Sequence, residues 1–262
     1  MKLAIIGCGW LGFPLAKFLV NKGNVVNGTT TSESKLAVLE AENINPFLWN
    51  LSLISEVEKI IEDVSVLIVN IPPRKSDGLE TYSEALEKLA KKVNTSTRVI
   101  FISTTGVYPE HLSFSTADCP FDKMDDSKET VLAEIKLRKQ LGDNITIIRM
   151  AGLIGPNRHP IKSLSQKQNI PNGDAPLNLI HLNDAIGLIH KVIESNYWGK
   201  IINGCYPEHP SKSIYYQSAA NHFGLTVPSF LTGGKDLKEV DASSDLDYIY
   251  TTSILDFNVD YL

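Results

Sequence analysis

Three glycines near the start of the chain, Gly7, Gly9 and Gly12 in IIGCGWLG, have the spacing of a turn that can hold a diphosphate. Gly7 lets the chain turn tightly. Gly9 lets backbone approach a pyrophosphate where a Cβ would collide. Gly12 lets the following helix pack close to the preceding strand. That helix, with Trp10 and Leu11 at its start, offers backbone N–H groups and a partial positive charge to phosphates. The pattern alone is weak, and its context gives it weight. An apolar run over residues 3–6 precedes it, and helical apolar spacing over residues 11–20 follows. A ligand-free turn and a secretion signal are the other readings. The run before Cys8 is shorter than the ~7–15 residues of a secretion signal's apolar region, and the pattern continues as a helix.

The end of the second expected strand bears on which nucleotide would be held. A carboxylate there accepts from the ribose 2′-hydroxyl of NAD and repels the 2′-phosphate of NADP. Here the chain reads Asn27, Gly28, Thr29, Thr30, Thr31, Ser32 and then Lys35, with no acid before Glu33. Hydroxyls, a helix start and a lysine suit a phosphate better, so the pattern favours NADP, with NAD as the alternative. The bland reading is that Ser32 only caps the helix and Lys35 is a solvated surface residue.

These residues need a frame, and the first 150 residues supply one. Strands are expected at residues 3–6, 25–26, 47–49, 64–70, 98–103 and 145–149, with helices at 11–20, 32–39, 81–93 and 127–141. Such alternation implies parallel strands crossed by helices, an α/β doubly wound sheet of Rossmann type. Residues 1–150 are read as the nucleotide-binding core. Residues 151–262 are read as a small substrate lobe interleaved with it, with helices expected at 183–194 and 213–223.

The 262 residues are 43% hydrophobic, ample for a buried core, and carry a formal net charge of -5. Mild acidity gives no electrostatic reason to expect nucleic acid or an anionic membrane, and no stretch approaches the ~20 apolar residues of a membrane span. Cys8, Cys119 and Cys205 lack the number for a disulfide framework and the spacing for a metal site. A cytoplasmic protein with reduced thiols and no metal is the expectation.

Six segments, in order, resemble the short-chain dehydrogenase/reductase superfamily, in particular its extended and atypical, epimerase/dehydratase-like members. They are GCGWLG at 7–12, VNIPP at 69–73, FISTTGVYP at 101–109, IIRMAGLIGPNR at 147–158, NLIHLNDAI at 178–186 and GKIINGCYPEHP at 199–210. The resemblance implies that Asn70, Ile71, Pro72, Pro73, Ser103 and Met150 line the cofactor. It also implies that Thr104 polarises a substrate oxygen and that Lys128 holds the nicotinamide ribose. The family's catalytic Tyr-x-x-x-Lys is broken, because Met124 stands at the tyrosine position and a thioether cannot act as acid or base. Tyr108 is then either a substitute proton donor or a residue packed in the wall. His111, His159, His181, Asp125 and Asp126 are unmarked alternatives. The Pro156-Asn157-Arg158 turn, with Lys162, is either an anion site or a solvated loop.

Two functions follow from the resemblance. One is an NAD(P)-dependent oxidoreductase or epimerase-like enzyme acting on a small carbonyl or hydroxyl compound, a sugar derivative among the candidates. The other is a catalytically silent NADP(H)-binding redox sensor. The expected partner is a small-molecule substrate; relatives pair two helices per subunit, for which 81–93 and 127–141 are the candidates here, and the sequence leaves monomer and homodimer both open.

Overall fold

A computed structural model of the chain describes residues 1–73, 81–110, 113–242 and 245–259. Seven strands form its main sheet: β1 (Lys2–Ile6), β2 (Val25–Thr30), β3 (Asn45–Leu48), β4 (Val66–Val69), β5 (Arg98–Thr104), β6 (Ile145–Met150) and β7 (Ile201–Gly204). Their order is β7-β6-β5-β4-β1-β2-β3, and every neighbouring pair is parallel. The central strands are apolar along their length because both faces are covered; every residue of β4 and β6 is buried. The chain runs outward in one direction from β1 to β3 and in the other from β4 to β7. The reversal opens a crevice beyond the carboxyl ends of β1 and β4, where Gly7 and Asn70 follow.

Helices α1 (Gly12–Asn21), α2 (Leu36–Ala41), α3 (Glu58–Ile61), α4 (Tyr82–Lys92) and α5 (Glu129–Leu141) fill the connections. Leu15, Ala16 and Leu19 of α1 bury one face of the sheet, and Leu86, Leu89 and Leu137 of α4 and α5 bury the other. Helix α4 starts at a capping box. The Glu84 N–H donates to Thr81 Oγ1 at 3.3 Å, and the Thr81 N–H donates to Glu84 Oε2 at 2.9 Å. Helix α5 starts at Glu129, two residues later than the spacing suggests, with Lys128 at its N-cap.

The seventh strand adds to the six expected from the sequence. Its four residues, IING, are too short and too polar to show a strand period. It lies in the sheet although it falls within residues 151–262, as does α7 (Leu182–Glu194), which packs on α1. The remainder of that stretch has its own small core. Helices α6 (Ile161–Leu164) and α8 (Lys212–His222) contribute Ile161, Tyr215, Tyr216 and Ala219, which pack with Ile154, Leu179 and Ile254. No described helix is long and apolar enough to cross a membrane.

One buried carboxylate fixes the end of the chain to the core. Asp184, in the first turn of α7, is fully buried. Its Oδ1 accepts from the Tyr248 hydroxyl (2.9 Å), the Thr251 N–H (2.8 Å) and the Thr251 hydroxyl (3.1 Å), and its Oδ2 accepts from the Thr252 N–H (2.9 Å). A Cβ on Gly187 would lie 2.2 Å from the Tyr248 oxygen, so a glycine there lets the strap sit down on the helix. Removing the carboxylate strands four donors, the buried Thr252 N–H and three part-buried ones, and an unsatisfied buried donor costs about 1–3 kcal/mol. Asp184→Ala is expected to lower the unfolding free energy by about 3 kcal/mol or more in a urea titration, and to expose the chain after Asp247 to limited proteolysis.

Candidate functional site

The glycine turn is shaped by two kinds of constraint. Gly7 has φ +103°, and a Cβ there would lie 2.4 Å from the Asn70 carbonyl oxygen. A Cβ on Gly12 would lie 2.1 Å from the Gly7 carbonyl oxygen. Both glycines are demanded by the protein's own backbone. Gly9 is not: nothing described lies within 4 Å of where its Cβ would stand. The open space faces the start of α1, whose first helical bond runs from the Phe13 N–H to Gly9 O at 3.0 Å. The N–H groups of Trp10, Leu11 and Gly12 precede that ladder and have no acceptor within the helix. A glycine kept small beside an empty space at a helix start fits a diphosphate group.

Neighbouring strands brace the turn. The Gly7 N–H donates to Thr29 Oγ1 at 2.8 Å, the Cys8 N–H to Thr29 O at 2.8 Å, and the Asn70 side-chain amide to Gly7 O at 3.2 Å. Thr29 is therefore a buried brace whose hydroxyl is taken up by the turn. Leu11 is buried as well, so only its backbone can face a ligand. Beyond Thr29, Thr31 and Lys35 are exposed, and Thr30 Oγ1 accepts from the Ser32 N–H at 3.2 Å. Ser32 stands at the N-cap position of the short turn Glu33–Lys35 that leads into α2 but makes no side-chain capping bond; its hydroxyl lies 2.9 Å from that of Ser34. At the opposite rim, Asn70 and Ile71 are half-buried and Pro72 and Pro73 exposed. Burial pushes the Cys8 thiol up to about 12, which keeps it protonated and inert.

Thr104 and Lys128, 24 residues apart in sequence, meet at one loop. Thr104 Oγ1 accepts from the Gly106 N–H at 3.1 Å, and Lys128 Nζ donates to Gly106 O at 2.9 Å. Other expected site residues are drawn away into a buried network. Arg149 and Glu134 are fully buried and form an ion pair, with Arg149 Nη2 at 2.7 Å from Glu134 Oε2. The Ser103 hydroxyl donates to Glu134 Oε1 at 2.5 Å. Arg149 Nη1 donates to the Tyr108 oxygen at 3.0 Å, and the Tyr108 hydroxyl donates to Asn203 Oδ1 at 2.7 Å. Met124 Sδ lies 3.8 Å from Arg149 Nη2.

This bears on three expectations. Tyr108 is fully buried with its hydroxyl engaged on both sides, and burial raises its phenol above the ordinary range, so it is a wall residue and not a substitute proton donor. The Ser103 hydroxyl is taken up by the ion pair. Met150 is buried against Gly204, where an added Cβ would meet its sulfur at 2.5 Å. The missed residues, Glu134, Arg149 and Asn203, left one signal in the sequence: an arginine inside the apolar strand ITIIRM requires a buried partner.

Most of the alternative acids have structural places. Asp125 closes a local turn by accepting from the Ser127 hydroxyl and N–H. Those bonds hold its carboxyl below the usual range. Asp126 is exposed. His181 caps α7 by accepting the Asn183 N–H at 3.2 Å. His159 lies in the small core, 3.0 Å from the Tyr215 hydroxyl, and burial lowers its pKa to about 4. His111 lies outside the described residues.

No family model matches the chain. Protein YeeZ of Escherichia coli (strain K12) is 33% identical over 254 residues, spanning 92% of this chain and 92% of that protein. Among solved structures, dTDP-glucose 4,6-dehydratase from Bacillus anthracis in complex with NAD superposes with a TM-score of 0.81 at 13% identity, covering 100% of this chain and 95% of that one. A human epimerase family protein with NADPH gives 0.73 at 15% identity, covering 99% and 98%. These structures show the fold: a parallel Rossmann-type sheet shared with a dTDP-glucose dehydratase and an epimerase family protein.

Two outcomes follow from this geometry. Gly9→Ala is expected to leave the melting temperature within a degree or two while weakening dinucleotide binding. Gly12→Ala, forced against backbone, is expected to lower the melting temperature by several degrees. Separately, His159 is held neutral in the fold, while the unfolded chain binds a proton near pH 6.5. Its contribution is present above that pH and is lost as pH falls towards 4. The unfolding free energy of the wild type minus that of His159→Asn should be flat above pH 7 and shrink as pH drops through this window.

Proposed function

The chain belongs to the family of Escherichia coli Protein YeeZ, and from the geometry of its glycine turn we propose that it binds a nicotinamide dinucleotide and acts as an oxidoreductase or epimerase-like enzyme on a small carbonyl or hydroxyl compound. The observation that carries this reading is the open space beside Gly9, next to a helix start whose N–H groups have no helical acceptor. Relatives by fold have been solved with NAD and with NADPH.

In this reading the backbone of Gly9, Trp10, Leu11 and Gly12 receives the diphosphate. Thr30, Thr31, Ser32 and Lys35 receive the adenosine ribose and favour a 2′-phosphate, hence NADP over NAD, because no carboxylate stands among them. Asn70, Ile71, Pro72 and Pro73 form the opposite rim. When bound, the nicotinamide supplies a hydride donor or acceptor. Thr104 donates its hydroxyl proton towards the substrate oxygen while still accepting from Gly106. Lys128 holds the nicotinamide ribose. With Met124 buried and Tyr108 engaged, the proton that accompanies turnover comes from water.

Met124 also supports the second reading, a protein that binds NADP(H) and senses its redox state without turnover. A parallel fluorescence titration with NADPH and NADH, followed by a screen of small carbonyl compounds for NADPH oxidation, separates the two. Micromolar NADPH affinity with much weaker NADH affinity is expected. Thr104→Ala should cut carbonyl reduction by about a hundredfold with NADPH affinity retained. NADPH binding without oxidation of any carbonyl favours the sensor. Preference for NADH overturns the 2′-phosphate argument, and binding of neither overturns the proposal.

A further inference from the structure

The Pro156-Asn157-Arg158 turn is built onto the glycine cradle. Gly155 and Arg158 bond to each other in both directions, at 3.0 and 2.9 Å, closing a tight hairpin with Asn157 at φ +57°. The Trp10 indole N–H donates to Pro156 O at 2.9 Å across 146 residues of chain. A Cβ on Gly155 would lie 3.0 Å from Leu182 Cβ and 3.2 Å from the Trp10 ring, so the turn and the indole are in close contact. The Arg158 guanidinium lies over that ring, 4.9 Å from its centroid.

Trp10 is the residue between Gly9 and Leu11, so the ring that carries Arg158 is rooted in the turn itself. Stacking fixes a guanidinium through its face and leaves the N–H groups around its edge free. Among the described residues the Arg158 side chain donates no hydrogen bond and pairs with no carboxylate, whereas Arg149 is fully engaged. A positive fork placed beside an open cradle, with its charge unspent, suits a planar, forked contact to phosphate oxygens.

Resting on the dinucleotide reading above, we infer that Arg158, carried on Trp10, is an anion clamp that takes a phosphate group at the mouth of the glycine cradle. The phosphate is either the cofactor's own diphosphate or a phosphate on the substrate. Arg158 is exposed, so replacing it leaves the fold intact.

The experiment uses the intact chain with NADPH and inorganic pyrophosphate as probes. It compares wild type, Arg158→Met and Arg158→Lys at low and high salt by calorimetry, with melting temperatures as the folding control. Loss of a charge-assisted contact should weaken phosphate binding about tenfold or more in Arg158→Met at low salt. High salt should narrow the gap, and lysine should restore part of it. If pyrophosphate competes with NADPH and Arg158→Met weakens both, the clamp holds the cofactor's diphosphate. If pyrophosphate binds the NADPH-saturated wild type but not Arg158→Met, the clamp holds a second phosphate, that of the substrate. Equal binding of both probes by wild type and Arg158→Met at low salt overturns the inference. Failure of NADPH and NADH to bind the wild type overturns the dinucleotide reading instead, and pyrophosphate binding still reports on Arg158.

Discussion

A charge pair with no access to water holds the carboxyl end of this sheet in shape. Glu134 comes from α5 and Arg149 from β6, and neither exposes any surface. Taking two such ions out of water is costly unless every remaining donor and acceptor finds a partner. The surrounding residues supply those partners. Ser103 from β5, Tyr108 from the loop after it and Asn203 from β7 all join the network, and the Asn203 amide passes it on to Asp241 O at 2.9 Å. The side chains of Ser103, Tyr108 and Met124 are consequently engaged around the ion pair. What is left on the open side is Thr104 and Lys128, gathered around Gly106.

The same division of labour marks the glycine turn. Gly7 and Gly12 serve the fold, because backbone occupies the space their side chains would need. Gly9 is not demanded by the fold in this way, because no described residue occupies the space its side chain would need. Three residues with one sequence signature thus have two physical meanings, and only the surrounding atoms separate them.

Much of the frame was legible in the chain. Long apolar runs such as VLIV and ITIIRM have no stable home except a strand covered on both faces, and Thr81 with Glu84 announces a helix start. Short-range signals of this sort are written locally. The seventh strand was not legible, since IING carries neither a period nor an apolar run. Nor was the fate of Tyr108, whose partner Asn203 lies 95 residues away, or that of Thr29, whose hydroxyl braces Gly7. Ser32 shows the opposite failure: a good capping residue at the right place, yet its hydroxyl turns to Ser34. Residue type tells what a side chain can do, and distant partners decide which of those things it does.

The bonds to Asp184 carry a consequence for how the chain comes to be folded. The groups that satisfy this carboxylate sit 64 to 68 residues later in the sequence, and the strand that closes the sheet, residues 201–204, also follows α7. A nascent chain that has emerged only through residue 150 has neither β7 to cover β6 nor Asn203 to receive Tyr108. Contacts of such long sequence separation form slowly, because loop-closure entropy must be met before they stabilise anything. Residues 1–150 and the stretch that follows therefore depend on one another for β7, Asn203 and the Asp184 strap, contacts that close only after the later residues have been made.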